Sequence, residues 1–225
     1  LQMIEPGRLM RAAEQHDLVL RLVVRPGDFV LAGHPLAFVW PRGRLEGRLP
    51  DALRRAFVVG SQRTPFQDVE FGIWQLVEIA LRALSPGIHD PHTAIACVDR
   101  LAAALGQIGQ RELPAGRRHD ERGHLRVIAE PVTIRSIVDV GFDEIRQAAR
   151  SNVAVTLRLL EAVSRVAPTA GAAGMGDALL RQAGMIVRGS REAIAEPRDR
   201  EDIEARYRAA VAALGAETDQ ARRAG

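Results

Sequence analysis

The chain has 225 residues, of which 47% are hydrophobic and 26% charged, a composition typical of one or two folded domains and not of a disordered chain. All 31 basic residues are arginines, which excludes chemistry that needs a lysine, such as a Schiff base, a P-loop or the attachment of biotin or lipoate. A net charge of only +3 and an aromatic content of 4% argue against a nucleic-acid partner.

No apolar run approaches the roughly 18 residues of a membrane-spanning helix, and the first residues lack the layout of a signal peptide. We therefore expect this chain to be soluble. It begins at Leu1, already inside an apolar stretch, and we expect it to be part of a longer protein. Cys97 lies between alanine and valine in a helical pattern, which predicts a small buried side chain and not a reactive thiol.

The first part of the chain has the pattern of a small β module. Aliphatic runs at 18–24 and 36–40 predict strands, with a stub of strand at 29–31. Between them, Pro26 and Gly27 predict a tight turn, because proline presets φ and glycine accepts a positive φ. Residues 26–36 resemble the half-motif of biotinyl-type barrel-sandwich modules. Without a lysine, that resemblance implies only a β scaffold for docking or assembly.

An arginine- and glycine-rich linker at 41–49 precedes a pattern that is helical almost throughout. Thr64, Pro65 and Gln67 have the spacing of an N-cap, a first helical residue and a capping box, and predict a helix over 65–84. Asp90 and Pro91 start the next helix, over 91–109. The remaining pattern predicts a loop at 110–123, and the other predicted elements are helices at 50–59, 133–151, 153–166, 177–195 and 200–222 and a strand at 125–129.

The predicted fold class is therefore mainly helical α+β. We predict a small β-rich module at 1–45 and a helical domain at 50–225.

Ionisable and hydroxyl side chains are concentrated around the break between the helices at 65–84 and 91–109, and this is the best candidate site. The candidate binding residues are Asp68, Glu70, Arg82, Ser85, His89, Asp90 and Thr93. Helix-end chemistry explains the same residues, since Asp90 caps a helix and Arg82 follows Glu78 at the spacing of an intrahelical ion pair. We predict no catalytic residue and no cofactor.

His89 and His92 are weak candidates for metal ligands, because they lie three residues apart across a helix start. Asp68 would be a third ligand, but a helix of about 17 residues rises roughly 25 Å and separates it from His89. We therefore predict no metal site.

The sequence around these two helices resembles a bacterial family of predicted membrane proteins, domain of unknown function 2254. The resemblance rests on the stretches RTPFQDVEFG at 63–72 and ALRALSPGIHDPHTA at 80–94, together with residues 18–39. His89 and His92 depart from the family pattern, which further weakens a metal role. The resemblance implies attachment to a bacterial inner membrane through a region outside this chain, and no activity or cofactor.

We predict a noncatalytic role in assembly, gating or partner binding, in a homo-oligomer without nucleic acid and on the cytoplasmic side of the membrane. The alternative is a ligand-binding or enzymatic domain, with or without the help of a metal ion, whose site lies between the helices at 65–84 and 91–109. A packed pair of helices whose carboxylates cap or form ion pairs favours the first hypothesis, and a cleft with converging side chains favours the second.

Overall fold

The computed structural model describes residues 1–172 and 174–224, with side chains described through residue 216. The described chain is mainly helical α+β, as predicted. Its strands are β1 (Met3–Ile4), β2 (Val19–Leu22), β3 (Ala37–Trp40), β4 (Phe57–Val58), β5 (Arg117–His119) and β6 (Leu125–Ile128). Its α-helices are α1 (Pro6–Gln15), α2 (Leu49–Arg54), α3 (Val69–Leu84), α4 (Pro91–Gly109), α5 (Ile134–Ala148), α6 (Val153–Val166), α7 (Met175–Ala193) and α8 (Pro197–Ala224).

The contacts between residues divide the chain into two compact units. The mixed unit comprises Leu1–Gly72 and Leu113–Val132, and the helical unit comprises Ile73–Glu112 and Thr133–Gly225. The division into domains at 1–45 and 50–225 stays a prediction. The mixed unit crosses that predicted boundary, because it includes α2, β4, β5 and β6.

The mixed unit is built on a four-stranded sheet in the order β3-β2-β6-β5. β2 pairs antiparallel with β3 and parallel with β6, while the short strands β1 and β4 form a second, antiparallel pair. Side chains alternate across the sheet, so Leu20, Leu22 and Val127 enter the core that also holds Leu9 and Ala13 of α1. One face of the sheet is therefore covered by α1.

The predicted resemblance to a barrel-sandwich module is not confirmed. Residues 29–31 form no strand, and β2 pairs not only with β3 but also with β6, which lies about a hundred residues further along the chain. A two-stranded hairpin is marginally stable alone, and here the pairing with β6 and β5 widens it to four strands.

Three further sequence predictions were wrong in detail. The helix predicted over 50–59 ends at Arg54 and is followed by β4, and the helix predicted over 65–84 begins only at Val69. The loop predicted over 110–123 contains β5, which pairs with β6. In the first case pairing of β4 with the distant strand β1 overrides the local pattern, in the second a different residue caps the helix, and in the third β5 forms a hairpin with the next strand.

The helical unit is made of amphipathic helices that pack through their apolar faces. α6 packs on α4 and α8, and α7 packs on α5 and α8. Leu101, Ile137, Leu160 and Leu179 are among its fully buried side chains. Helix starts follow local chemistry: Thr133 and Ser136 form a reciprocal capping box at α5, and Asn152 caps α6.

Candidate functional site

The predicted turn at 25–28 lies against the residues that start α3, within the mixed unit. Gly27 has φ of +96°, and a Cβ at this position would lie 2.2 Å from Oδ2 of Asp68. No side chain fits there. Two sequence segments about forty residues apart therefore meet at a position that requires glycine for both backbone conformation and space.

Asp68 is buried and is the N-cap of α3. Its Oδ1 accepts a hydrogen bond of 3.0 Å from the backbone N–H of Phe71, and its Oδ2 accepts bonds of 2.7 and 3.0 Å from Nη2 and Nε of Arg63. The Arg63 guanidinium also lies 5.0 Å from the centre of the Phe71 ring. The carboxylate is thus fully engaged by a cap and a two-pronged ion pair.

Glu70 pairs with the arginine of the turn. Its Oε2 lies 3.0 Å from Nη2 of Arg25, and the backbone N–H of Arg25 donates a 2.8 Å bond to Oδ2 of Asp28. Together with the Asp68 pair, this gives an ion-paired cluster, which we call the turn anchor: Arg25, Gly27, Arg63, Asp68 and Glu70. Its charges nearly cancel, and its geometry fixes the turn to the start of α3.

Gln67 does not cap the helix as predicted. Its side-chain amide accepts a 2.9 Å bond from the N–H of Ile4 and donates a 3.0 Å bond to the Ile4 carbonyl. The amide thereby pairs with β1 as a neighbouring strand would. This explains why α3 starts at Asp68 and not at Thr64.

The other predicted residues lie in the last turn of α3 and after it, in the helical unit. Asp90 caps α4, because its Oδ1 accepts a 3.1 Å bond from the N–H of Thr93 and its Oδ2 a 2.6 Å bond from the Thr93 hydroxyl. These bonds lower the pKa of Asp90 below its usual value. The Ser85 hydroxyl donates to the carbonyl of Arg82 at 2.7 Å, and Arg82 pairs with Glu78 at 2.9 Å.

His89 and His92 are both exposed. His89 has a positive φ of 47°, and its N–H donates to the Ser85 carbonyl at 2.9 Å. Among the described residues, no group of three or more His, Cys, Asp or Glu side chains is placed to hold a metal ion. Cys97 is buried, and its burial raises the pKa of the thiol.

The seven candidate binding residues thus fall into two sets. Asp68 and Glu70 join the turn anchor of the mixed unit, whereas the other five, Arg82, Ser85, His89, Asp90 and Thr93, lie in the helical unit. Arg25, Gly27 and Arg63 were not among the predicted site residues. The signal that could have found them is the turn signature at 25–28, where Pro and Gly fix an unusual backbone.

A cavity of about 310 Å³ lies in the mixed unit and was not predicted. Its wall is mainly apolar, with Leu22, Val127 and Ala129, and it carries the polar side chains of Arg25, Arg118 and Glu130. The second stretch of the mixed unit, residues 113–132, supplies much of the wall. Sequence patterns could not place this stretch against α1 and β2, because that placement depends on the parallel pairing of β2 with β6.

Arg126 organises a second polar cluster in the mixed unit. It forms 2.8 Å ion pairs with Asp17 and with Asp120, and Asp17 also pairs with Arg44. Burial of the Asp120 carboxyl opposes its ionisation. Hydrogen bonds from Arg126 and from the backbone N–H groups of His124 and Arg122 outweigh that effect and lower the pKa of Asp120 to about 2.

Comparison with known proteins identifies the family. Residues 1–165 match the model of the family described as predicted membrane protein, domain of unknown function 2254. Uncharacterized proteins of Mycobacterium bovis and Mycobacterium tuberculosis are each 32% identical over 204 residues, which cover 89% of this chain and 39% of the relative. No solved structure matches the chain.

The chain therefore spans well under half the length of these relatives. In the part of the chain that the structure describes, no helix combines the length and the apolar character needed to cross a bilayer. The match over 1–165 includes all three stretches that carry the sequence resemblance, and the chain belongs to the family of predicted membrane proteins grouped as domain of unknown function 2254.

Proposed function

We propose that this chain is a noncatalytic region of a longer membrane protein, placed outside the bilayer and serving assembly of the protein with further copies of itself. One observation carries the proposal. The carboxylates of the predicted site are occupied by contacts that hold the fold together.

Asp68 caps α3 and pairs with Arg63, Glu70 pairs with Arg25, and Asp90 caps α4. A general acid or base needs a carboxyl that can reach a substrate and exchange a proton near neutral pH. The hydrogen bonds from Thr93 lower the pKa of Asp90 below its ordinary value, away from the neutral range that such proton exchange needs. These contacts favour a structural role over catalysis.

The location is part of the proposal. The family description supports a membrane protein, and the relatives contain a further region that this chain does not span. An arginine-rich composition and a single, buried Cys97 favour the cytoplasmic side of a bacterial inner membrane. The near balance of charges argues against nucleic acid as the partner.

The test uses the full-length protein in detergent, with and without this region, and measures its mass by light scattering after gel filtration. We expect an oligomer that becomes a monomer when the region is deleted. A point-variant pair avoids the ambiguity of a deletion: Gly27→Ala, which disrupts the turn anchor, against Gly33→Ala, where no atom lies within 4 Å of the added Cβ. An unchanged mass in both experiments would contradict the assembly role.

The cavity of the mixed unit favours a second candidate function, the binding of a small apolar ligand. Its volume of about 310 Å³ lies at the lower end of known ligand pockets, and its apolar wall with a few charged groups is typical of them. Anilinonaphthalene sulfonate, an apolar fluorophore with an anionic group, is a suitable probe. We expect Ala129→Phe, which fills the cavity, to abolish its binding, and Ala96→Phe, on the exposed side of α4, to leave it unchanged. The predicted alternative site between the helices at 65–84 and 91–109 remains a prediction.

A further inference from the structure

We propose that the β2–β3 hairpin binds the anionic surface of a lipid bilayer. The surface in question, which we call the hairpin face, consists of the outward side chains Arg21, Val23, Phe38 and Trp40 and the tip residues Phe29 and Leu31. The inference rests on the proposed membrane location and adds a chemical partner to it.

The alternation of side chains defines the hairpin face. Leu20 and Leu22 of β2 point into the core beneath α1, so Arg21 between them points to the opposite side of the sheet. The register places Arg21 opposite Phe38 and Val19 opposite Trp40. One side of the hairpin thus belongs to the core, and the other carries two aromatic side chains and an arginine.

These side chains are unusually exposed for their type. Phe38 and Trp40 are each 48% exposed, and their ring centres lie 6.1 Å apart. At the tip of the hairpin, Phe29 is 90% and Leu31 52% exposed. Scattered apolar side chains are normal on a protein surface, but one hairpin and its loop with three exposed aromatic side chains favour a contact with another molecule.

One row of paired residues on this side of the sheet carries positive charge. The register continues the row from Phe38 and Arg21 to Ile128 of β6 and Arg117 of β5, so the row holds two arginines and no carboxylate. Neither arginine forms an ion pair with a described residue. The nearby carboxylates of Asp17 and Asp120 are engaged by Arg44 and Arg126. An anionic partner complements this row.

The turn anchor holds the tip in place before any partner arrives. The ion pair of Arg25 with Glu70 and the close contact of Gly27 with Asp68 fix the residues immediately before Phe29. A tip that is already positioned loses little conformational entropy on binding. The anchor would therefore present Phe29 and Leu31 to the partner.

A lipid surface fits this combination best. Tryptophan and other aromatic side chains favour the boundary between headgroups and acyl chains, and arginine reaches anionic headgroups from the same depth. The chain belongs to a family of predicted membrane proteins, so a bilayer is the surface expected within reach of this region. RNA also binds aromatic and arginine side chains, and a protein could cover the same face. The experiment below distinguishes these two partners from a lipid surface.

The experiment measures co-sedimentation of the 225-residue chain with vesicles of phosphatidylglycerol and phosphatidylcholine in equal parts, and with vesicles of phosphatidylcholine alone. We expect binding to the anionic vesicles that weakens with salt, and much weaker binding to the neutral ones. The emission of Trp40, measured in a Trp74→Phe background, should shift to the blue on binding.

Matched variants test the surface itself. Phe29→Ser with Phe38→Ser should weaken vesicle binding about tenfold or more, because two aromatic side chains no longer leave water. Phe66→Ser should leave it unchanged, since Phe66 is 77% exposed but lies outside the hairpin. Arg21→Gln should weaken binding to anionic vesicles roughly fivefold, whereas Arg11→Gln on α1, which packs on the opposite face of the sheet, should not.

Three results would overturn the proposal: no sedimentation with anionic vesicles, an equal loss with Phe66→Ser, or hairpin variants that lose binding to a single-stranded RNA or a protein but not to vesicles. Thermal unfolding of each variant checks that it is folded, as expected for exposed positions. If the wild-type chain does not bind anionic vesicles while the full-length protein still assembles through this region, the lipid inference is contradicted and the proposed function stands.

Discussion

The mixed unit and the helical unit hold together by different means. In the mixed unit, segments far apart in the chain meet through a few specific contacts, such as the turn anchor, where the carboxylate of Asp68 is almost completely buried. In the helical unit, long apolar faces repeat the same kind of contact over many turns. The first arrangement depends on individual residues, and the second is spread over many.

Ion pairs show the contrast clearly. In the helical unit, Asp99 pairs with Arg158 and Arg165, but the Asp99 side chain is 40% exposed, and such pairs contribute little to stability. The Asp68 side chain is only 4% exposed, although that of Arg63 is 45% exposed, so loss of Arg63 would leave a buried carboxylate without its counter-ion. We therefore expect the arginine partner of Asp68 to matter more for stability than the arginine partners of Asp99.

The largest effect should come from a large cavity in the helical unit. Phe142 of α5 is 1% exposed, and Phe142→Ala should lower the free energy of unfolding by about 4 kcal/mol. Chemical denaturation measures this change. Phe66→Ala in the mixed unit is the control and should change the free energy by less than about 0.5 kcal/mol, because Phe66 is exposed. A small effect of Phe142→Ala would show that the helical core tolerates even large voids.

A single methyl group should test the turn anchor. Gly27→Ala places a Cβ against the carboxylate of Asp68 at a positive φ, and we expect it to cost about 3 kcal/mol. Gly33→Ala has a similar φ of +88° but open space around the added atom, so it should cost about 1 kcal/mol, the strain alone. Equal costs for the two variants would mean that the anchor does not stabilise the mixed unit.

The sequence predicted the helical unit better than the mixed unit for a physical reason. A helix is defined by contacts three and four residues apart, so apolar spacing and the Asp90 cap were enough to place α4. A sheet also requires pairing between strands, and a local sequence pattern does not show which strands pair. The strand at 125–129 was expected, but its parallel pairing with β2 was not, and the cavity could not be predicted without that pairing.

The candidate residues illustrate the same limit. The sequence predicted that Asp90 caps a helix and that Arg82 pairs with Glu78 in the same helix. The structure shows both contacts, and both are local in the sequence. The turn at 25–28 was predicted. Its contact with Asp68 joins residues about forty positions apart, so no local sequence pattern could predict it. The prediction that Gln67 completes a capping box with Thr64 was wrong, because the Gln67 side chain pairs with Ile4 instead.

A smaller loss of stability is expected at Asp90, where two variants distinguish the contribution of the capping hydrogen bond from that of the charge. Asp90→Ala should lower the free energy of unfolding by about 1 kcal/mol, because the N–H of Thr93 loses its acceptor. Asp90→Asn keeps an acceptor oxygen without the charge and should retain most of the stability. Thermal unfolding of both variants at neutral pH gives the comparison. If Asn is as damaging as Ala, the negative charge at the start of α4, and not the capping hydrogen bond, accounts for the stability that Asp90 contributes.

The smallest effect should appear only as a change with pH in the mixed unit. The pKa of Asp120 is lowered to about 2, whereas the unfolded carboxyl titrates near pH 3.9, about the ordinary value. Its stabilising contribution is therefore fully present above about pH 4 and is lost as the pH falls toward 2. In Asp120→Asn, the amide oxygen can still accept the N–H bonds of Arg122 and His124, so the turn persists while the charge is lost. Wild type should be the more stable protein at neutral pH, with the difference in melting temperature shrinking below pH 4. A difference that stays constant down to pH 2 would show that the ionised carboxylate does not stabilise the Arg126 cluster, and would leave Asp17 as its effective partner.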